Sequence, residues 1–352
     1  MTNTIQKQIY KMMTTTPPAF SNDRAVHIAA KHYGVKARAQ PLVSERDQNF
    51  RMTSSDGTCF TLKIANHAEQ LQVIDFQNQA LLHVARQDAS IPLPRVISTL
   101  EKAMHCSVEL DGKTHFVRMI SWLDGTVLND FEAGPDLLGK IGALMARLGV
   151  ALAGFDHPGS NPPLLWDMKR AAGLRDLLVH IDEAELNNTI TRTLDRFVVN
   201  VEPKLAGLRT QVIHNDFNPD NVLLDKTDPS QVSGIIDFGD LVKSPLIIDL
   251  AVAASYQLSD GDDPLAGALP LIAGYNAVTP LQQAEIELLT DLIRTRLITS
   301  LLIGNWRVKL FPENSEYLWG GYAQIKRCLI HLDALDNDVA HDRISMCLQT
   351  GH

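Results

Sequence analysis

Short strand-like runs fill the first third of the chain. Three of them cover residues 40 to 44, 49 to 54 and 59 to 65, and the turn SSDGT joins the last two. Two further runs, MHCSVEL and THFVRMI, are connected by an Asp-Gly pair that favours a tight hairpin. This pattern predicts an antiparallel sheet built from hairpins.

Helical periodicity accompanies these strands. Ser21 can cap a helix over AVHIAAKHYG, and Gly34 is a stop signal at its end. The segment AEQLQVIDFQNQALLHVARQ places Leu71, Ile74 and Leu82 at helical spacing. We therefore expect one long helix to cross the sheet.

Long apolar-periodic segments replace the strands after WLDG. The helix candidates are residues 136 to 154, 167 to 180, 183 to 200, 246 to 257, 265 to 276, 281 to 310 and 315 to 334. One β-rich patch, residues 211 to 240, interrupts them. At 352 residues the chain exceeds one ordinary core. The prediction is an α+β fold with two lobes that share a cleft.

Composition narrows the classes of function. A formal net charge of −9 provides no basic surface for nucleic acid. The cysteines at 59, 106, 328 and 347 have neither zinc-site nor disulfide spacing. The N-terminus lacks a signal-peptide core, and no run approaches the roughly 18 apolar residues of a membrane span. We expect a cytoplasmic protein without nucleic-acid or membrane partners, and the sequence leaves homo-oligomerisation open.

Polar residues concentrate where apolar strands end, in QVIHNDFNPDNVLLD and QVSGIIDFGD. Asp216 and Asn221 are five residues apart, and Asp237 follows sixteen residues later, directly before Phe238 and Gly239. This is the order and spacing of a kinase catalytic loop followed by its metal-binding aspartate. Each residue alone could be a turn former, whereas the combination favours a phosphoryl-transfer site.

Phosphoryl transfer needs these residue types because its transition state is stabilised by positioning and charge neutralisation. Asp216 can accept a hydrogen bond from an acceptor hydroxyl and act as the catalytic base. Asn221 and Asp237 can supply oxygen ligands to Mg²⁺. We expect His214 to brace the loop backbone, and Asp249, an ionisable residue on the apolar helix PLIIDLAVAASY, to pair with the same loop.

The motifs HNDFNPDN, IIDFGD and SPLIIDLA resemble those of the aminoglycoside phosphotransferase and choline kinase superfamily, which has a bilobal protein-kinase-like fold. The segments PLVSERDQNFRM, FTLKIAN, VIDFQNQALLHV, FVRMISWLDGTVL and RLITSLLIGNWR are most similar to its hydroxylysine kinase branch. The resemblance covers residues 20 to 335. It implies a nucleotide-binding N-lobe at 21 to 121 and a helical C-lobe at 122 to 352 with the catalytic loops and substrate pocket. Residues 1 to 20, which are polar, Thr-rich and closed by Pro17 and Pro18, are predicted to form a tail.

The resemblance also implies roles around the nucleotide phosphates. Lys63 would contact the α- and β-phosphates. Asp75 would replace the glutamate that usually pairs with this lysine, with Gln77 and Glu69 as alternatives.

Two further parts of the nucleotide site follow from the resemblance. The phosphate loop SERDQNF contains no glycine, so Ser44 and Asn49 are candidate phosphate donors, although a plain surface turn is an alternative. At the hinge, the carbonyl of Ile120 and the amide of Trp122 would contact adenine.

The acceptor is predicted to be a small molecule with a hydroxyl group. Only DLVKSP separates the DFG motif from the next helix, which is too short for an activation segment and a peptide groove. Candidate pocket residues are Asp240, Tyr256, Trp306 and Arg307. Trp306 would make a cation–π contact, and Arg307 would bind a substrate carboxylate.

The sequence thus predicts a kinase that uses ATP, with GTP as the alternative, and Mg²⁺ to phosphorylate an amino-alcohol or a hydroxy-amino acid such as hydroxylysine. The alternatives are a choline, ethanolamine or homoserine kinase and an aminoglycoside phosphotransferase. A non-catalytic nucleotide-binding protein and a metal-dependent phosphohydrolase are the competing classes.

Overall fold

The computed structural model describes residues 14–44, 46–259, 261, 263–312 and 321–350. The first thirteen residues of the predicted tail lie outside this range. The last residues of the tail pack on the sheet. The backbone N–H of Phe20 donates to Oε1 of Gln48 at 2.7 Å, and Nδ2 of Asn66 donates to the carbonyl of Thr16 at 3.2 Å.

The first helix, α1, has the two ends that its sequence predicts. It runs over Asn22–Tyr33, and the Ser21 hydroxyl accepts from the backbone N–H of Arg24 at 3.2 Å. Gly34 ends the helix in the left-handed conformation, with φ of 70°. Glycine adopts this conformation without the steric cost that a Cβ would bring.

A six-stranded antiparallel sheet forms the N-terminal part of the fold. Its strands are β1 (Ala37–Leu42), β2 (Gln48–Ser54), β3 (Cys59–Ile64), β4 (Val96–Ile97), β5 (Cys106–Leu110) and β6 (Lys113–Ser121). The order is β1-β2-β3-β6-β4, and β5 also pairs with β6. The register aligns Asn49, Lys63 and Arg118 across three neighbouring strands. These three side chains therefore share one face of the sheet.

The long helix α2 (Leu71–Gln87) lies between β3 and β4 in the chain and packs against the helical lobe. One apolar cluster joins α1 to the sheet and includes Ile28, Phe50 and Leu62. A larger cluster fills the helical lobe and includes Phe76 and Val84 of α2. Because α2 contributes to the larger core, its position is coupled to the lobe that carries the polar loops.

Helices form most of the second lobe. They are α3 (Pro135–Leu152), α4 (Ala184–Arg196), α5 (Glu202–Leu205), α6 (Leu246–Ser255), α7 (Ala268–Val278), α8 (Gln283–Leu310), α9 (Tyr322–Ala334) and α10 (Asn337–Thr350). Two predicted helices differ in type: Met168–His180 is a 3₁₀-helix, and a π-turn over Phe197–Val201 separates α4 from α5. The sequence pattern did not predict α10, and the start of the predicted segment 315 to 334 lies outside the described residues.

Two small sheets interrupt the helices. The strands are β7 (Thr126–Val127), β8 (Thr210–Ile213), β9 (Val222–Leu224), β10 (Val232–Ile235) and β11 (Val242–Pro245). One sheet has the order β10-β9-β7, and the other pairs β11 with β8. The prediction of an α+β bilobal fold is confirmed. Among the described residues, no helix is both long enough and apolar enough to cross a membrane.

Helices α3 and α7 approach each other closely through glycines. A Cβ added at Gly142 would overlap the carbonyl oxygen of Leu271 on α7. We expect Gly142→Ala to lower the free energy of unfolding by roughly 1–3 kcal/mol, because the backbones must separate. Gly139→Ala on the same helix is the matched control, since its Cβ would come no closer than 3.8 Å to Pro270. Chemical denaturation of both variants tests this, and equal stabilities would contradict it.

Candidate active site

A loop between β8 and β9 carries Asp216, and a buried carboxylate holds the loop backbone. Asp249 on α6 accepts from the backbone N–H of His214 at 3.3 Å and of Asn215 at 2.7 Å. Asn215 has φ of 65°, a left-handed conformation that is uncommon outside glycine. Burial raises the pKa of Asp249, and its two backbone donors oppose that shift. The contacts fix the direction in which the chain leaves β8.

His214 contacts the loop after β10, which carries Asp237 and is called the second polar loop below. Its Nε2 lies 3.0 Å from the carbonyl oxygen of Ile236, directly before Asp237. The ring is fully buried, and burial lowers the pKa of His214, which favours the neutral form. His214 thus joins the two loops and does not reach the open cleft.

The carboxylate of Asp216 is held at both oxygens. Oδ2 accepts from Nδ2 of Asn218 at 3.0 Å and from Nδ2 of Asn221 at 2.8 Å. Oδ1 accepts from Nη2 of Arg296 at 3.2 Å. Asn218 and Arg296 were not singled out from the sequence. Asn218 lies within the motif, whereas Arg296 lies 80 residues away along the chain.

Asp237 follows β10 and meets Lys63 across the cleft. It has φ of 56°, and its Oδ1 accepts from Lys63 Nζ at 3.1 Å and from the backbone N–H of Gly239 at 3.2 Å. The positive charge of Lys63 holds the pKa of Asp237 well below its usual range. The carboxylate is therefore ionised, and half of its side chain remains exposed.

A cavity of about 840 Å³ opens beside Asp216. Of the predicted acceptor residues, Asp240, Tyr256 and Arg307 line it. The other lining residues are Asn129, Trp166, Asp216, Asn218, Pro219, Asp220, Ser255, Leu258, Arg296, Ser300, Ile303, Gly304, Gly321, Gln324, Ile325 and Cys328. The Asp216 carboxylate thus lies in the wall of a cavity that is large enough for a small molecule.

The family follows from a sequence comparison. A model of the phosphotransferase enzyme family matches residues 38–280, which is more than half of the chain. The chain belongs to the phosphotransferase enzyme family. This confirms the predicted resemblance and the prediction of an ATP-dependent phosphotransferase with an alcohol group as acceptor.

A curated relative of this phosphotransferase is hydroxylysine kinase of Danio rerio. It is 30% identical over 312 residues, covering 86% of this chain and 88% of the relative. Two solved structures share the fold. A microcompartment-associated aminopropanol kinase has a TM-score of 0.60 at 19% identity, over 88% of this chain and 98% of that chain. An amicoumacin kinase in complex with AMP-PNP and Ca²⁺ has a TM-score of 0.66 at 11% identity, over 96% and 99%.

The structure corrects the predicted partner of Lys63 in the phosphotransferase. Asp75 contacts Nε2 of His157 at 3.1 Å, in the loop after α3, and Lys63 contacts Asp237 instead. Gln77, one of the alternatives, donates from Nε2 to the carbonyl of Gly239 at 2.9 Å. Positions 75 and 77 are about 200° apart around a helix, so they face different surroundings.

The hinge amide of the phosphotransferase also differs from its prediction. The backbone N–H of Trp122 donates to the carbonyl of Cys59 at 3.3 Å. The ladder between β3 and β6 extends one residue beyond Ser121, so this amide is engaged within the sheet and not directed at adenine. Ile120 lies in β6 opposite Thr61 and Val96.

The predicted phosphate loop lies against the second polar loop. Nη2 of Arg46 donates to Oδ1 of Asp240 at 3.0 Å. Ser44 is half-buried at one end of the loop, and Asn49 lies in β2 with an amide oxygen that is buried without a hydrogen-bond partner among the described residues. Burial, opposed by Arg46, raises the pKa of Asp240 to about 6, with Asp216 and Asp237 adding to the shift.

Trp306 does not reach the cavity, contrary to its prediction. It is buried in the large apolar cluster of the helical lobe. The cavity face of α8 carries Arg296, Ser300, Ile303 and Arg307 at helical spacing. Each residue turns the helix by about 100°, so position 306 points away from that face.

The donor set fits a divalent cation shared with a nucleotide. No group of three or more His, Cys, Asp or Glu side chains within the described part of the chain could hold a metal ion by itself. Mg²⁺ typically takes one or two carboxylates and completes its shell with phosphate oxygens and water. Asp237 is ionised, and Asn221 makes its hydrogen bonds to Asp216 through Nδ2, so its amide oxygen is a candidate second ligand.

Proposed function

We propose that this phosphotransferase transfers the γ-phosphoryl group of ATP to a hydroxyl group of a small amino-alcohol or hydroxy-amino acid, with hydroxylysine as the first candidate acceptor. The name of the relative from Danio rerio supports hydroxylysine, and the name of the aminopropanol kinase supports the amino-alcohol class. ATP and a divalent cation agree with the AMP-PNP and Ca²⁺ in the amicoumacin kinase. Mg²⁺ is the proposed ion, and GTP is the alternative nucleotide.

Asp216 is the proposed catalytic base. Its carboxylate lines the cavity and is held by Asn218 and Asn221 at one oxygen and by Arg296 at the other. An acceptor hydroxyl in the cavity would donate to this carboxylate, which aligns the hydroxyl oxygen for attack on the γ-phosphorus. The carboxylate would receive the proton as the new O–P bond forms and the bond from the γ-phosphorus to the bridging oxygen of ADP breaks. The position of this carboxylate is the observation that carries the proposal.

The remaining motif residues would serve the nucleotide. Asn221 and Asp237 would hold Mg²⁺, which neutralises charge on the phosphates when it is bound. Nζ of Lys63 lies 3.1 Å from Oδ1 of Asp237, so the Lys63 ammonium would also contact the nucleotide phosphates that this metal ion binds. Ser44 and Asn49 remain the proposed donors of the phosphate loop. In this arrangement residues 21 to 121 form the nucleotide lobe and residues 122 to 352 the acceptor lobe.

Negative charge in the cavity suits an acceptor that carries an ammonium group. Asp220 and Asp240 line the cavity beside Asp216. Arg46 lies 3.0 Å from the Asp240 carboxylate, and its positive charge favours the ionised form and opposes the rise in pKa that burial causes. Either carboxylate can pair with an amine next to the acceptor hydroxyl.

A coupled assay of ADP release tests the proposal. Purified protein with Mg-ATP is presented with 5-hydroxylysine, homoserine, choline, ethanolamine, 1-aminopropan-2-ol and an aminoglycoside. We expect turnover that depends on one class of amine-bearing acceptor and is highest with 5-hydroxylysine. ADP release at the same rate without any acceptor would indicate a phosphohydrolase, and Mg-ATP binding without turnover of any acceptor would indicate a non-catalytic protein.

A further inference from the structure

Arg296 is a buried arginine in the wall of the acceptor cavity. It lies on α8, its residue surface is 2% exposed, and it lines the cavity. The guanidinium carbon lies 4.8 Å from the ring centre of Trp166 and 5.7 Å from that of Tyr256. The two aromatic rings hold the charged group by cation–π contact. This arrangement fixes a positive charge next to the proposed base.

Within the part of the chain that the structure describes, the hydrogen bonds of Arg296 engage one of its three nitrogens. Nη2 donates to Oδ1 of Asp216 at 3.2 Å and to the Tyr256 hydroxyl at 3.0 Å. Nε and Nη1 are buried and have no hydrogen-bond partner among the described residues. A guanidinium presents five N–H donors in a planar fork that matches a carboxylate. Buried donors without a partner are unfavourable, so a guanidinium that turns from Asp216 toward an anionic ligand in the cavity would gain hydrogen-bond partners.

The contact between Arg296 and Asp216 also occupies the base. The acceptor hydroxyl must approach a carboxylate oxygen of Asp216, and the Arg296 side chain is bound to Oδ1 in this structure. An acceptor that carries both a hydroxyl and a carboxylate can give Asp216 and Arg296 each a new partner when their ion pair separates. Its hydroxyl binds Asp216, and its carboxylate binds the guanidinium that Asp216 releases.

We propose that Arg296 binds the carboxylate of a hydroxy-amino acid acceptor, so that this cavity selects amino acids over the corresponding amino-alcohols. The inference rests on the proposed function, because it assigns a substrate class to the same site. Arg296 and Asp216 are direct neighbours, so an acceptor whose hydroxyl and carboxylate are separated by a few carbon atoms can contact both side chains.

Arg307, to which the sequence assigned this role, is less suitable. It also lines the cavity, but it lies eleven positions beyond Arg296 on the same helix. At 1.5 Å per residue the two positions are about 16 Å apart along the axis. Side chains on one helix lean in the same direction, so this separation persists at the guanidinium groups. A short hydroxy-amino acid bound at Asp216 reaches Arg296 first.

Matched acceptors with and without the carboxylate test the assignment. The pairs are 5-hydroxylysine with 1,5-diaminopentan-2-ol, and homoserine with 3-aminopropan-1-ol. Wild-type protein should show the higher kcat/KM for the amino acid of the pair that it accepts. In Arg296→Gln we expect kcat/KM to fall roughly 100-fold for the amino acid, mainly through KM, and less than about 10-fold for the amino-alcohol. Arg296→Lys should retain an intermediate preference, because it keeps the charge and loses the fork.

Equal losses for both members of a pair would overturn the proposal, since they would show that Arg296 only orients Asp216. A wild-type protein without preference for the carboxylate would overturn it as well. Inhibition of the wild type by lysine and by 1,5-diaminopentane gives a test that needs no variant to fold. Lysine should inhibit competitively against the acceptor and the diamine should not, and equal inhibition would contradict the assignment. If no acceptor is turned over at all, the proposed function fails before the carboxylate is compared.

Discussion

Asp216→Asn is expected to lower kcat by at least about 100-fold while leaving the affinity for Mg-ATP nearly unchanged. The amide keeps the shape of the carboxylate but cannot accept the hydroxyl proton, and general-base contributions typically amount to 10²–10⁴-fold. Asp216 lines the acceptor cavity, whereas Asp237 and Lys63 meet at the proposed phosphate end of the cleft. Steady-state kinetics with the best acceptor, combined with calorimetric titration of Mg-ATP, separates the two effects.

Asp225→Asn is the control for this substitution. Asp225 follows β9, and its carboxylate caps an exposed turn by accepting from the backbone N–H of Thr227 at 2.7 Å. It is not among the residues that line the cavity, so the control should turn over the acceptor at the wild-type rate. A kcat of Asp216→Asn within about threefold of this control would exclude Asp216 as the base.

Asp237→Asn should abolish measurable turnover, with a loss in kcat/KM of roughly 10³-fold or more, because the anionic metal ligand is replaced by a neutral one. The substitution also removes the charge that Lys63 contacts. In contrast to Asp216→Asn, this variant should lose the Mg²⁺-dependent part of its nucleotide affinity. Titrations of ATP with Mg²⁺ and with EDTA measure that part directly.

Thermal denaturation must accompany this experiment, since a destabilised variant would also lose activity. Asp237 pairs with Lys63, whose side chain is only 11% exposed, so we expect a moderately lower Tm in a variant that is still folded at the assay temperature. Wild-type and variant proteins that gain equal ATP affinity on addition of Mg²⁺ would show that Asp237 is not a metal ligand.

Local patterns in the sequence predict the parts of the molecule that depend on neighbouring residues. The cap of α1 at Ser21 and its end at Gly34 follow from contacts within a few positions. The hairpins of the sheet follow from turn residues in the same way. Asp216, Asn221 and Asp237 are predicted by a fixed spacing, and the structure brings the first two into hydrogen-bond contact.

Contacts between distant segments were missed or wrongly assigned. Arg296 reaches Asp216 from 80 residues away, and although it begins the segment RLITSLLIGNWR, the helical spacing of α8 does not distinguish it from an ordinary charged residue. Trp306 was placed on the wrong side of α8, since a helix buried on most faces has no single polar stripe to define its rotation. Asp75 was paired with the wrong residue, since its partner His157 lies 82 residues away along the chain. Whether the Trp122 amide can contact adenine depends on where the hydrogen-bond ladder between β3 and β6 ends, and the pairing of the two strands sets that point.

Asp216 is proposed to direct an acceptor hydroxyl to the γ-phosphorus of ATP. Phosphorus NMR of a reaction containing Mg-ATP and 5-hydroxylysine, followed with wild-type protein and with Asp216→Asn, detects the transferred group itself. We expect a phosphomonoester of the acceptor that accumulates in step with ADP in the wild type and is nearly absent in the variant. ADP accompanied only by inorganic phosphate, or a phosphomonoester formed equally fast by the variant, would contradict it.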